Sequence, residues 1–152
     1  GDGDDGWLIT GTITAAGQIT DTLIDSLEFD PVKGKTPNII PISGNVYAIA
    51  YAGDLDDGFL ITVTIATDGQ ITDTVIDTLE FDTSQGKTPN IIPISGDVYA
   101  IAYAGNADAG SLKTVTIATD GQITDPVIDT LEFDSAKGKT PNIFRSRVMC
   151  TP

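Results

Sequence analysis

The stretch Thr36-Pro37-Asn38-Ile39-Ile40-Pro41-Ile42-Ser43-Gly44-Asn45-Val46-Tyr47-Ala48-Ile49-Ala50-Tyr51 decides the fold, because it returns at residues 88–103. It lies inside a longer match: between 36–70 and 88–122, 29 of 35 positions are identical. Gly17-Gln18-Ile19-Thr20 likewise returns at Gly69-Gln70-Ile71-Thr72 and at Gly121-Gln122-Ile123-Thr124, a step of 52 residues both times. A period of that length marks repeated supersecondary units. The chain is just under three copies of one unit: a partial copy over 1–36, full copies over 37–88 and 89–140, and the start of another over 141–144.

Each unit reads as four short strands. In the middle copy the first is 38–42, turned by Ser43-Gly44-Asn45, and the second is 46–52, ended by Gly53 and an acidic loop through Gly58. The third is 59–66. Asp68-Gly69 then supplies residues able to take positive φ, the strongest short hairpin signal. The fourth strand runs over 71–81, and Gly86-Lys87-Thr88-Pro89 leads into the next unit. Valine, isoleucine, threonine and tyrosine dominate, and no stretch keeps a 3.6-residue apolar period, so the chain is all-β. The second strand is apolar or small at every position, which predicts cover on both faces. Tyr47, Tyr51, Tyr99 and Tyr103 are core candidates on the same ground.

The 152 residues suit one domain. There are 22 acidic against 8 basic residues, a net charge of −14, which rules out a basic nucleic-acid-binding footprint and disfavours docking on anionic lipid. The absence of histidine excludes His-based acid–base chemistry and His-ligated metals. Cys150 is the single cysteine, so no internal disulfide forms and the compartment stays open, a cell-surface setting being favoured. No apolar run approaches 18 residues, so membrane insertion is not expected.

Four antiparallel strands per unit, with inner strands covered on both faces, are what radially stacked propeller blades require. The run 36–51 resembles the innermost and second strands of sialidase-like β-propeller repeats. The resemblance implies an all-β fold of four-stranded antiparallel propeller blades, about three per chain. Blades of that family often carry an Asp-box, roughly Ser-x-Asp-x-Gly-x-Thr-Trp, between strands three and four. Here Ala66-Thr67-Asp68-Gly69-Gln70-Ile71-Thr72-Asp73 stands in that place, matching at Asp68 and Thr72 alone, and is read as a plain Asp-Gly turn.

The end of the chain leaves the pattern. After Pro141 the repeat calls for Asn-Ile-Ile-Pro-Ile-Ser-Gly-Asp-Val-Tyr-Ala, but the chain reads Asn142-Ile143-Phe144-Arg145-Ser146-Arg147-Val148-Met149-Cys150-Thr151-Pro152. Deleting one nucleotide in the second isoleucine codon of a suitably encoded repeat yields all nine altered residues. The 145–152 tail is therefore read as a frameshifted fragment of a further unit. Two units with fragments cannot close a ring of roughly 4–8 blades. The expectation is a homodimer in which two chains share composite blades and complete a six-bladed ring.

Candidate chemistry centres on the acidic loop. Asp2, Asp4 and Asp5 precede Gly6 in the first copy, and Asp54, Asp56 and Asp57 precede Gly58 in the second. Clustered carboxylates beside a glycine turn suit a hard cation such as calcium, although a solvated turn gives the same pattern. The outer strand repeats Asp21, Asp25 and Glu28 as Asp73, Asp77 and Glu80, and again as Asp125, Asp129 and Glu132. Paired carboxylates can hydrolyse glycosides, but charge on an edge strand also blocks sheet-to-sheet aggregation. Gly34-Lys35-Thr36 and its copies mimic the end of a P-loop, yet Phe29, Phe81 and Phe133 stand where that motif needs glycine, and a proline follows. Trp7 and Phe59, equivalent to Ser111, start the third strand and are candidates for stacking on a sugar or packing between units. The function expected is a non-enzymatic, self-assembling propeller fragment serving as a binding or structural scaffold for a protein or glycan ligand. The alternatives are a lectin-like glycan-binding module and a carboxylate-based glycosidase.

Overall fold

Strand-forming residues and turn glycines place ten strands within residues 3–144, the part of the chain that the computed structural model describes. β1 (Gly6–Ile13) and β2 (Ile19–Asp30) form a two-stranded antiparallel sheet. β3 (Lys35–Ser43), β4 (Val46–Ala52), β5 (Gly58–Thr64) and β6 (Asp77–Asp82) form a four-stranded sheet in chain order. β7 (Lys87–Ser95), β8 (Val98–Ala104), β9 (Gly110–Ile117) and β10 (Ile123–Asp134) repeat it. We call these the first, second and third units. The Asp-Gly hairpins form where expected, with Gly69 at φ 90° and Gly121 at φ 93°, a region open to glycine without a Cβ clash. No helix of the described residues is long and apolar enough to cross a membrane.

β4 is covered on both faces. Ala48 and Ala50 join a cluster with Leu60, Leu79, Phe81, Ile91, Ile101 and Tyr103, which spans the second and third units. Ile49 and Tyr51 join Ile61 and Val63 in another cluster, against Leu8, Leu27 and Phe29 of the first unit. The core therefore lies between units rather than within any one sheet. Phe29 meets Tyr51 edge-on at 5.0 Å between ring centroids, and Phe81 meets Tyr103 the same way at 5.1 Å.

The fourth strand of the second unit is shorter than its sequence reading. Only Asp77–Asp82 pairs continuously, after an isolated bridge between Ile65 and Ile71. The outer ladders of the other units shift register over the same stretch, between Thr10 and Gly11 and between Thr124 and Asp129.

The propeller reading does not hold. The three sheets, of two, four and four strands, stand separately, and none closes or curls into a ring. Double-sided strands and a four-strand period specify units that pack face to face; they do not specify the curvature that would bring the last unit back to the first. The sialidase-like resemblance therefore stops at the strand pattern. With no ring to complete, the argument for a six-bladed homodimer falls as well, and with it the self-assembling propeller scaffold. The frameshift reading of 145–152 lies outside the described residues.

Candidate functional site

The acidic loop folds as a short 3-10 turn at Asp54–Asp56 that enters the left-handed region at Leu55 (φ 56°) and Asp56 (φ 68°). Its copy, Asn106–Asp108, does the same at Ala107 and Asp108. This conformation turns the loop's backbone carbonyl toward the linker that leaves the same unit. Gly34 N–H donates to Asp4 O, Gly86 N–H to Asp56 O and Gly138 N–H to Asp108 O, each at 2.7 Å. The Gly-Lys-Thr stretches that mimic a P-loop are thus the clasp of each unit. Gly86 must lack a side chain, because a Cβ there would drive into the Gly58 backbone.

One carboxylate of each loop is engaged with lysine. Asp56 Oδ1 pairs with Lys33 Nζ at 2.8 Å and its Oδ2 faces Lys87 Nζ at 3.6 Å. Lys35 pairs with Asp4 at 2.5 Å, and Lys139 pairs with Asp108 at 3.2 Å. The Lys33 hydrogen bond holds Asp56 below the ordinary carboxylate value, against the opposing pull of burial, and the same bond raises Lys33. Among the described residues, no three His, Cys, Asp or Glu side chains converge as metal ligands. Asp54 Oδ1 accepts the N–H of Leu55 at 2.9 Å, and Asp4 and Asp56 are ion-paired. Asp5 and Asp57 sit on the same loops without joining a cluster; Asp2 lies outside the described residues.

Trp7 and Phe59, equivalent in sequence, have different surroundings. Trp7 is 46% exposed. Phe59 stacks on Tyr51 at 5.7 Å with an interplanar angle of 21°, and its ring fills the space a Cβ on Gly53 would need. Phe59 is thus a packing residue. In the third unit Ser111 and Lys113 replace Phe59 and Ile61. Lys113 Nζ reaches Asp82 at 3.1 Å and also donates to Phe81 O, while Tyr103 O–H donates to the same Asp82 carboxylate at 2.7 Å. The two junctions use one backbone geometry with different chemistry at this spot.

The outer-strand aspartates have a role that the sequence does not announce. Asp25 Oδ2 accepts the backbone N–H of Ile71 and Asp77 Oδ2 accepts that of Ile123, both at 2.8 Å. From their cross-strand partners, Thr10 Oγ1 donates to Gly69 O and the fully buried Thr62 Oγ1 donates to Gly121 O, both at 2.6 Å. A carboxylate and a hydroxyl from one unit thus grip the hairpin of the next. On the inner side, Asn38 Oδ1 accepts the N–H of Ile91 at 3.0 Å. Asp25 and Asp77 thus serve backbone recognition. The lectin-like alternative rested on a ring face that does not form, and one of its two aromatic rings, Phe59, is partly buried against Tyr51.

Two concavities accompany this arrangement. The Thr-Pro-Asn triplets at 36–38, 88–90 and 140–142 line one groove of about 310 Å³. A wider cleft of about 780 Å³ lies beside Ile9, Ile13, Tyr47 and Gly69, where the first unit contributes two strands. Neither gathers titratable groups into a reacting constellation. No protein-family model, curated protein or solved structure matches this chain.

Proposed function

We propose that this chain is a non-catalytic structural repeat array, whose work is to hold successive units face to face in fixed register. The observation that carries this reading is the recurrence of one set of side-chain-to-backbone hydrogen bonds at both junctions. Thr10 with Asp25 and Thr62 with Asp77 grip equivalent backbone atoms at matching distances. Asp25 and Asp77, two of the carboxylates that would serve as catalytic acids, are engaged in this grip. Identical environments along a repeat also oppose catalysis, because an acid–base pair needs two surroundings that separate its pKa values.

The reading is tested on the intact chain in two ways. Denaturant unfolding followed by far-ultraviolet dichroism and by Trp7 fluorescence is expected to give coincident transitions, as a stack coupled through its junctions should. A panel of chromogenic esters, phosphate esters and glycosides is expected to show no turnover. Turnover abolished by a single carboxylate substitution that leaves the melting temperature unchanged would overturn the reading.

A further inference from the structure

The two junctions carry their charge at different depths. At the first, Phe59 stacks on Tyr51 beside the buried Ile61, and among the described residues no lysine pairs with Asp30, one repeat before Asp82. The lysine of that junction stands at the rim, where Lys33 of the first unit pairs with Asp56 of the second, the side chains being 19% and 32% exposed. At the second junction the arrangement is exchanged. Gln85 occupies the Lys33 position, and in the amide orientation that satisfies both contacts it donates to Gly105 O at 2.8 Å and accepts from Lys87 Nζ at 3.0 Å. The lysine lies inside instead: Lys113 takes the Ile61 position, 3.1 Å from Asp82 Oδ2, with side chains 14% and 19% exposed. Its Nζ also donates to Phe81 O and lies 5.7 Å from the centre of the Tyr103 ring. Among the described residues the other groups on Asp82 are neutral donors: the Tyr103 hydroxyl from β8 and the N–H groups of Ser84 and Gln85 after β6.

We propose that the second junction is an acid-operated joint, which holds the third unit on the second at neutral pH and releases it when Asp82 takes up a proton, while the first junction stays closed. Protonation leaves the Lys113 ammonium without its counter-ion at a position that is core in the second unit, and an inward charge stripped of its partner is costly. Acid reaches the Lys33–Asp56 pair too, but at the rim water replaces the lost partner at little cost. Asp25 and Asp77 make the same backbone bond at the two junctions and so do not distinguish them. Burial raises the Asp82 carboxyl, and its bonds to Tyr103, Ser84, Gln85 and Lys113 outweigh this and hold it below 3.8. The joint therefore has its full strength above 3.8 and loses it as the pH falls through the lower folded value.

Hydrogen exchange in the full chain tests this at two equivalent amides, Ile71 and Ile123, whose N–H groups are seated on Asp25 and Asp77 across the first and second junctions. Each rate, from neutral pH to about pH 2, is divided by its intrinsic value at that pH. Protection at Ile123 is expected to fall about tenfold or more beyond that at Ile71, the effect of losing one hydrogen bond to a charged group. Ser111→Phe with Lys113→Ile gives the second junction the residues of the first, and the excess loss is expected to disappear. Lys113→Met leaves Ser111 in place and is expected to do the same without an added ring. Equal losses at the two amides, a larger loss at Ile71, or an excess that persists in either folded variant overturns the proposal. The joint rests on the reading of the chain as docked units, which fails on its own sign: both amides unprotected at neutral pH.

Discussion

Asp77 Oδ2 accepts the backbone N–H of Ile123 at 2.8 Å, joining two units across 46 residues of chain. Asp25 and Ile71 repeat the bond at the same distance and the same separation. A carboxylate is a strong acceptor, and at a junction partly shielded from water its bond to an N–H outweighs a neutral one. The residue type that first suggests hydrolysis or aggregation control is therefore a connector between units.

The hydroxyl half of the grip is open to substitution. Thr62→Val keeps the shape and leaves Gly121 O without its donor in a dry junction. The expected cost is about 1–3 kcal/mol in urea unfolding. Thr114→Val removes the equivalent hydroxyl where, among the described residues, no unit is gripped, and its expected effect lies within about 0.5 kcal/mol. Equal effects at the two positions would show that the hydroxyl acts within its own sheet.

Close approach of chain to ring fixes Gly58. A Cβ there would meet the Phe81 side chain below any contact distance, and Phe81 is itself held by Tyr103. Gly58→Ala is expected to destabilise the chain by about 1–3 kcal/mol through overpacking. A melting temperature unchanged by this substitution would mean that the ring can move aside.

Repeat length, strand class, the Asp-Gly hairpins and the two-sided burial of 46–52 are legible in the sequence because each follows from local residue chemistry. Curvature is not local. It depends on how much each unit rotates on its neighbour, and no run of residues in 36–51 encodes it, so the step from four-stranded units to a ring failed. The grip was hidden for a related reason. Asp25 and Asp77 look like edge charges until the backbone N–H from the next unit is seen beside them. One signal was available: Thr10, Asp25 and the Gly-Gln-Ile segment all recur on the same 52-residue step, as parts of one contact must. The Lys33–Asp56 pairing was not legible, because it joins residues 23 positions apart.

Asp82 is expected to contribute to the acid sensitivity of the chain. Burial pushes its carboxyl up, but the Tyr103 hydroxyl, the N–H groups of Ser84 and Gln85, and Lys113 outweigh it and hold Asp82 below its ordinary value of 3.8. A depressed folded value contributes stability that is full above 3.8 and is lost as the pH falls through the lower folded value. Melting measured from neutral pH into that range is expected to fall less steeply for Asp82→Asn than for the parent. Parallel acid limbs would show that Asp82 does not contribute.

The acidic loop gives a separate expectation. With Asp56 paired to Lys33 and Lys87, and Asp4 to Lys35, one carboxylate of each loop already has a cation beside it. Millimolar calcium is expected to leave the melting temperature unchanged, since an ion that bound only the folded chain would raise it. A rise that disappears in an Asp54→Asn, Asp57→Asn double variant would assign a cation to this loop.

The account's central claim, that units are joined by side-chain grips on the neighbouring backbone, is tested most directly by urea unfolding of Asp77→Ala beside Asp129→Ala. The two aspartates occupy the same repeat position, and only Asp77 grips a following unit among the described residues. The account expects Asp77→Ala to lose about 1.5–3 kcal/mol, the range for a hydrogen bond to a charged group. It expects Asp129→Ala to stay within about 0.5 kcal/mol of the parent. Equal losses at both positions, or no loss at Asp77, would contradict it.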